Sequence, residues 1–271
     1  MSESIFITEK KFDLAETLDC GQAFRWEEIG ENKWQGIAIG RELIIEQKGN
    51  KHIFHCSEED FNSIWKSYFD LEEDYEGIRS RLSELSPVLK EASSFAPGIM
   101  ILRQEPWEAV CSFIISQNNN IPRIKGIIKR LCELCGEKVG SGYSFPKAEV
   151  IAHRDAEFLA PIRSGFRAKY ILDAAKRFTE DKEFAGKIEK LPLEEARKEL
   201  MTIKGIGPKV SDCALLYGFH RTECFPMDVW MKRAMSKLLP EVDPSSFGKD
   251  AGIAQQYIFH YSRMHPELFE E

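Results

Sequence analysis

The sequence predicts an α+β protein, with an antiparallel sheet at the N-terminus followed by a larger helical region. Two observations carry this. The first hundred of the 271 residues hold short β-branched and aromatic runs separated by turn signals, whereas from about residue 100 the apolar residues recur at helical spacing. The boundary this suggests divides the chain into residues 1–98 and 99–271.

The strand-like runs are "ESIFITE", "FRWEEI", "KWQGIAIGRELIIEQ" and "KHIFHCS", broken by "ENK" and "KGN". "EEDFNSIWKSYFDLEEDYEGIRSRLSEL" reads as helix, and "SPVLKEASSFAPG", with two prolines, reads as a connector. "PWEAVCSFIISQ" is the next helix. After "NNN" comes "PRIKGIIKRLCELCG", with Pro122 near its first turn and Gly136 at its end. "AKYILDAAKRFTE", "LEEARKELMTI", "PKVSDCALLYGF", "DVWMKRAMSKLL" and "GIAQQYIFHYSRMH" complete the helical series.

The charge is unevenly distributed. The net formal charge of −7 argues against a simple polyanion binder. Residues 1–100 hold 20 acidic and 11 basic side chains, however, and the remainder is slightly basic. "IPRIKGIIKR" contains four basic residues and no acid, a local stripe that suits phosphate. The start of the chain lacks the apolar run of a signal peptide, and no stretch approaches the length of a membrane span. Seven cysteines without a repeating framework suggest reduced thiols, and so the cytoplasm, associated with the nucleoid in a prokaryote. Cys132 and Cys135 form one isolated pair within a helical pattern, which favours packing over metal.

"KGIGPK" lies between two apolar helices. Glycine there permits a tight turn, and Pro208 suits a first helical position that needs no N–H. The free N–H groups of Gly205, Gly207 and the first helical turn form an anion site at the positive end of a helix dipole. Lys209 stands in that turn, where the dipole favours the neutral amine a nucleophile needs; a plain phosphate contact is the other reading. Asp228 reads equally as a helix cap and as a carboxylate that stabilises a developing cation.

"IKGIGPKVSDCALL" followed by "FPMDV" resembles the helix-hairpin-helix DNA glycosylases. "DCGQAFRW", "FIISQNNNIPRI", "GFRAKY" and "AGIAQQYIF" extend the resemblance to the 8-oxoguanine DNA glycosylase family over nearly the whole chain. The resemblance implies a TBP-like N-terminal sheet, an all-α glycosylase region, and a combined glycosylase and lyase that needs no metal or redox cofactor. It implies that Lys209 attacks C1′ and forms a Schiff base while Asp228 assists. It places the flipped base between Phe259 and Cys213, with Gln255 on its Watson–Crick edge, Pro226 shaping the pocket and the Gly21 carbonyl accepting N7–H. Asn118 would fill the gap left in the duplex, and Arg123 and Arg167 would read the opposite cytosine. Gly205, Gly207 and Val210 would grip the backbone. The implied partner is double-stranded DNA carrying 8-oxoguanine opposite cytosine, bound by a monomer with no membrane contact. Two positions depart from the family's pattern: Trp230 stands where histidine is frequent, and Phe166 where tyrosine is. No four-cysteine cluster follows Cys224, unlike in the iron–sulfur relatives.

Overall fold

The computed structural model describes residues 5–10 and 12–270. Five strands, β1 (Phe6–Thr8), β2 (Trp26–Gly30), β3 (Lys33–Ala38), β4 (Arg41–Lys48) and β5 (Lys51–Phe54), form one antiparallel sheet in the order β1-β5-β4-β3-β2. The single run "KWQGIAIGRELIIEQ" is two strands. Ile39 and Gly40 both take positive φ, +50° and +66°, and turn the chain between the paired residues Ala38 and Arg41. That is the geometry of a two-residue hairpin whose twist matches the sheet. Trp26, Phe54, Trp65 and Phe69 fill the core on one side of this sheet, with edge-on ring contacts.

Two segments differ from the sequence reading. The long helix expected from residue 58 stops at Tyr68 and resumes at Tyr75. Asp70 breaks it with φ +52°, and its buried carboxylate is held by the Tyr75 hydroxyl at 2.8 Å, Arg103 at 2.7 Å and His220 at 3.3 Å. Periodicity does not register a side chain recruited to a distant element. The expected connector at 86–98 holds a helix, Pro87–Phe95, because Ser86 caps it and Pro87 occupies its first turn.

The remaining expected helices run Pro106–Ser116, Ile121–Cys135, Arg167–Glu180, Leu193–Leu200, Pro208–Gly218, Val229–Leu238 and Ala251–Met264. The sequence reading omitted the helices Leu14–Leu18, Ala148–Ala152 and Phe184–Lys190 and the strand pair Lys138–Val139 and Gly142–Tyr143.

The strip that leads from sheet to helices is bound back to the start of the chain. Thr17 Oγ1 donates to the Gly98 carbonyl at 2.9 Å, and Glu16 accepts the Gly98 N–H at 2.7 Å. The buried Gln22 amide donates to the Met100 carbonyl at 2.7 Å and accepts the Leu102 N–H at 2.9 Å. Arg25 meets Glu108 at 3.3 Å, both nearly buried, so an ion pair also joins the sheet to the Pro106–Ser116 helix. Together these bonds fix the Gly21 turn against the helical region.

Candidate active site

The hairpin between Leu193–Leu200 and Pro208–Gly218 is anchored by Ile203 and Ile206, both buried. Gly205 has φ +83°, and a Cβ there would lie 2.3 Å from ring carbons of Tyr170, so both conformation and space require glycine. Gly207 differs: it caps the following helix in extended conformation, φ −102°, with open space around it. The N–H groups of Gly205, Gly207, Lys209 and Val210 have no backbone partner among the described residues, and Ser211 N–H is the first to bond back, to the Gly207 carbonyl at 2.9 Å. The Val210 side chain is buried, so this residue offers only its N–H to a ligand.

Lys209 leaves the first turn of that helix and places Nζ 5.6 Å from the centre of the Phe113 ring. Phe113 is stacked on Tyr217 and is held firmly. One turn after Lys209 lies Cys213, which is buried. Burial pushes the Cys213 thiol up, the neighbouring Lys209 acts against this, and Asp228 adds a smaller upward push. Asp228 caps Val229–Leu238 through an N–H bond from Met231, and Pro226 is buried just before it.

Asp228, Trp230, Phe259 and Arg263 line a recess of about 330 Å³. Gln255, one turn before Phe259, is buried and its amide oxygen has no hydrogen-bond partner among the described residues. A buried acceptor without a donor is costly, so this atom suits a ligand that supplies one. Gly21, at φ +90°, approaches the same helix: a Cβ there would sit 3.8 Å from Phe259 Cε1 and 3.7 Å from Ile121 Cδ1. The structure thus brings Gly21, Phe259 and the start of the Ile121–Cys135 helix to one place.

Asn118 is exposed at φ +48° in the turn before that helix, and Arg123 is exposed in its first turn. Arg167 is placed differently. Its guanidinium is buried and donates to the carbonyls of Gln117, Asn118 and Ser164. Burial and then the nearby Arg123 charge disfavour its charged form. In this structure Arg167 shapes the Asn118 turn rather than facing outward. Phe166, by contrast, is 54% exposed, edge-on to Tyr170.

Sequence reasoning missed Phe113 beneath Lys209, Tyr170 behind Gly205, and Arg263 beside Phe259. Only Arg263 left a signal, since residues 255, 259 and 263 recur every four positions and share a helix face. Cys132 is buried, and among the described residues no group of three or more metal-ligating side chains occurs. No helix among them is long and apolar enough to cross a membrane.

Residues 4–110 match the 8-oxoguanine DNA glycosylase N-terminal domain, and residues 111–244 match the HhH-GPD superfamily of base excision DNA repair proteins. The N-glycosylase/DNA lyase of Saccharomyces cerevisiae is 32% identical over 260 residues, covering 84% of this chain and 68% of that one. The solved structure of MBOgg1 in complex with a low-affinity DNA ligand is 39% identical, with a TM-score of 0.92 and 98% of each chain covered. The Clostridium acetobutylicum 8-oxoguanine glycosylase/lyase, solved with double-stranded DNA containing cytosine opposite 8-oxoguanine, is 35% identical, with a TM-score of 0.88 over 94% of this chain and 93% of that one. With its sheet, hairpin and recess arranged in this way, the chain belongs to the 8-oxoguanine DNA glycosylase family within the HhH-GPD superfamily.

Proposed function

We propose that the chain excises 8-oxoguanine from duplex DNA and then cuts the strand at the resulting site, acting as a monomer. The observation that carries this reading is the recess lined by Asp228 and Phe259, with the buried amide oxygen of Gln255, unpartnered among the described residues, one turn before Phe259 on the same helix and Gly21 against the Phe259 ring. Lys209 stands in the first turn of one helix and Asp228 at the start of another, the amine and carboxylate that a nucleophile and the stabiliser of a sugar cation require.

The hairpin N–H groups hold the backbone, and the damaged nucleotide leaves the stack. Its base lies between Phe259 and Cys213, with Gln255 supplying an acceptor on the base edge and Pro226 closing one wall. The Gly21 carbonyl accepts N7–H, a donor that 8-oxoguanine has and guanine lacks. Asp228, fixed at its helix start, stabilises positive charge on the sugar as the bond from C1′ to the base breaks. The base departs with the bonding electrons and gains a proton. The lone pair of Lys209 Nζ bonds to C1′, the nitrogen gives up a proton, and the sugar ring opens to a Schiff base. Removal of a proton from C2′ then expels the 3′ phosphate. Asn118 occupies the gap in the duplex. Arg123 reads the opposite cytosine, and Arg167 holds the turn that presents Asn118. The unit 1–98 supplies Gly21, and the unit 99–271 supplies the other groups.

The test is borohydride trapping on a duplex with 8-oxoguanine opposite cytosine. Wild type is expected to form a covalent complex and to cut the strand. Lys209→Gln is expected to do neither while still binding the lesion duplex. Strand cutting by Lys209→Gln at the wild-type rate would make the protein a phosphate-binding module whose lysine is no nucleophile.

A further inference from the structure

Four side chains line the recess at Asp228: a carboxylate, two aromatic rings and one guanidinium, those of Asp228, Phe259, Trp230 and Arg263. Trp230 has a single polar group, and its Nε1–H is directed at Ser262 Oγ, 2.8 Å away, while its ring packs on Phe269 at 5.2 Å. The indole therefore has no donor left for a ligand. Asp228 is committed at one oxygen to the Met231 N–H. Arg263 alone brings positive charge to this recess. It is exposed, forms no ion pair or hydrogen bond among the described residues, and stands with its guanidinium carbon 5.5 Å from the centre of the Phe259 ring.

An arginine resting on an aromatic face keeps its five N–H donors directed away from the ring. It also shares the helix face of Gln255 and Phe259, one turn further along. We propose that Arg263 grips the phosphate next to the extruded nucleotide, so that base and phosphate are held by one helix: Gln255 and Phe259 take the base, and Arg263 takes the phosphodiester oxygens. This rests on the proposed function, since the contact exists only once a nucleotide has entered the recess. Guanidinium and phosphate pair through two parallel N–H bonds, which fixes orientation as well as adding charge. The contact is therefore distinct from the hairpin's, which holds backbone whether or not a nucleotide is extruded.

The experiment measures the dissociation constant against salt in a Lys209→Gln parent, which binds without cutting, on an 8-oxoguanine duplex and on the undamaged duplex. Arg263→Gln is expected to weaken binding to the lesion duplex about tenfold and to make its log–log salt slope shallower by about 0.9, the value for one phosphate. The undamaged duplex is expected to show no change in slope, and Arg263→Lys is expected to restore the slope on the lesion duplex. An unchanged slope on both duplexes would reduce Arg263 to a support for Phe259. An equal fall on both would make it a general backbone contact. Either result overturns the assignment and leaves the function standing, whereas a Lys209→Gln parent with no preference for the lesion duplex would overturn the function itself.

Discussion

The carboxylate of Asp228 accepts the backbone N–H of Met231 at 2.7 Å, closing the first turn of the helix that follows it. The bond leaves a second oxygen for chemistry and fixes where it points. Asn caps helices about as well as Asp. Asp228→Asn is therefore expected to melt within a few degrees of wild type while slowing base release by more than a hundredfold in single-turnover assays. Slowing of less than about tenfold, roughly 1.4 kcal/mol, would identify a cap and nothing more.

Gly205 and Gly207 look equivalent in the sequence and are expected to respond oppositely to alanine. At Gly205 the new Cβ would meet Tyr170 at 2.3 Å with φ at +83°, so Gly205→Ala should cost roughly 1–3 kcal/mol and weaken binding to any duplex. At Gly207 the space is open and φ is ordinary, so Gly207→Ala should leave the melting temperature nearly unchanged. Thermal melts of the two variants side by side check this, and equal losses would contradict it.

Gly21→Ala meets no steric wall, only ordinary contacts at 3.7 and 3.8 Å, but it must hold φ at +90°. The expected result is displacement of the Gly21 carbonyl and at least a tenfold loss in 8-oxoguanine excision, with binding to undamaged DNA unaltered. A lesion analogue with carbon in place of N7 should be cut poorly by wild type for the same reason. Normal rates in both experiments would show that the pocket reads the C8 oxygen instead.

His52 is expected to make the fold sensitive to acid. It is buried and stacked on Phe12 at 3.8 Å, and burial pushes its pKa down from 6.5 to about 4. The unfolded chain therefore takes up the proton first, so stability present above pH 6.5 is lost as pH falls toward 4. The loss attributable to this group should be on the order of 2–3 kcal/mol. Glu16, pushed up to about 6 mainly by burial, works the other way and offsets part of it between pH 6 and 4.5. In urea melts at pH 7 and pH 4.5, His52→Phe should lose less stability on acidification than wild type. Equal losses would remove His52 from the account.

The sequence revealed the elements whose causes are local. Pro208 at a first turn, Asp228 at a cap and the alternation of β4 each follow from neighbours within a few residues. What it concealed depends on distant partners. Asp70 ends a helix because Arg103 and His220 hold its carboxylate, and nothing near position 70 announces them. Arg167 reads as a solvated charge on a helix, yet it is buried because two carbonyls of the Asn118 turn accept its protons. The candidate site shows the same division. Lys209 and Asp228 stand out from their own motifs, whereas Phe113 and Tyr170 become relevant only when separate helices meet.

The bonds from Gln22 to Met100 and Leu102 also impose a schedule on synthesis. The Gln22 amide nitrogen can donate to the Thr17 carbonyl at once, but its oxygen has no donor until Leu102, 80 positions later, has been made. At about 5–20 residues per second, the ribosome needs roughly 4–16 seconds to supply it. For that interval the Gln22 amide oxygen has no donor from the helical region. The Gln22 turn, among the earliest parts of the protein to be made, is thus among the last to be completed.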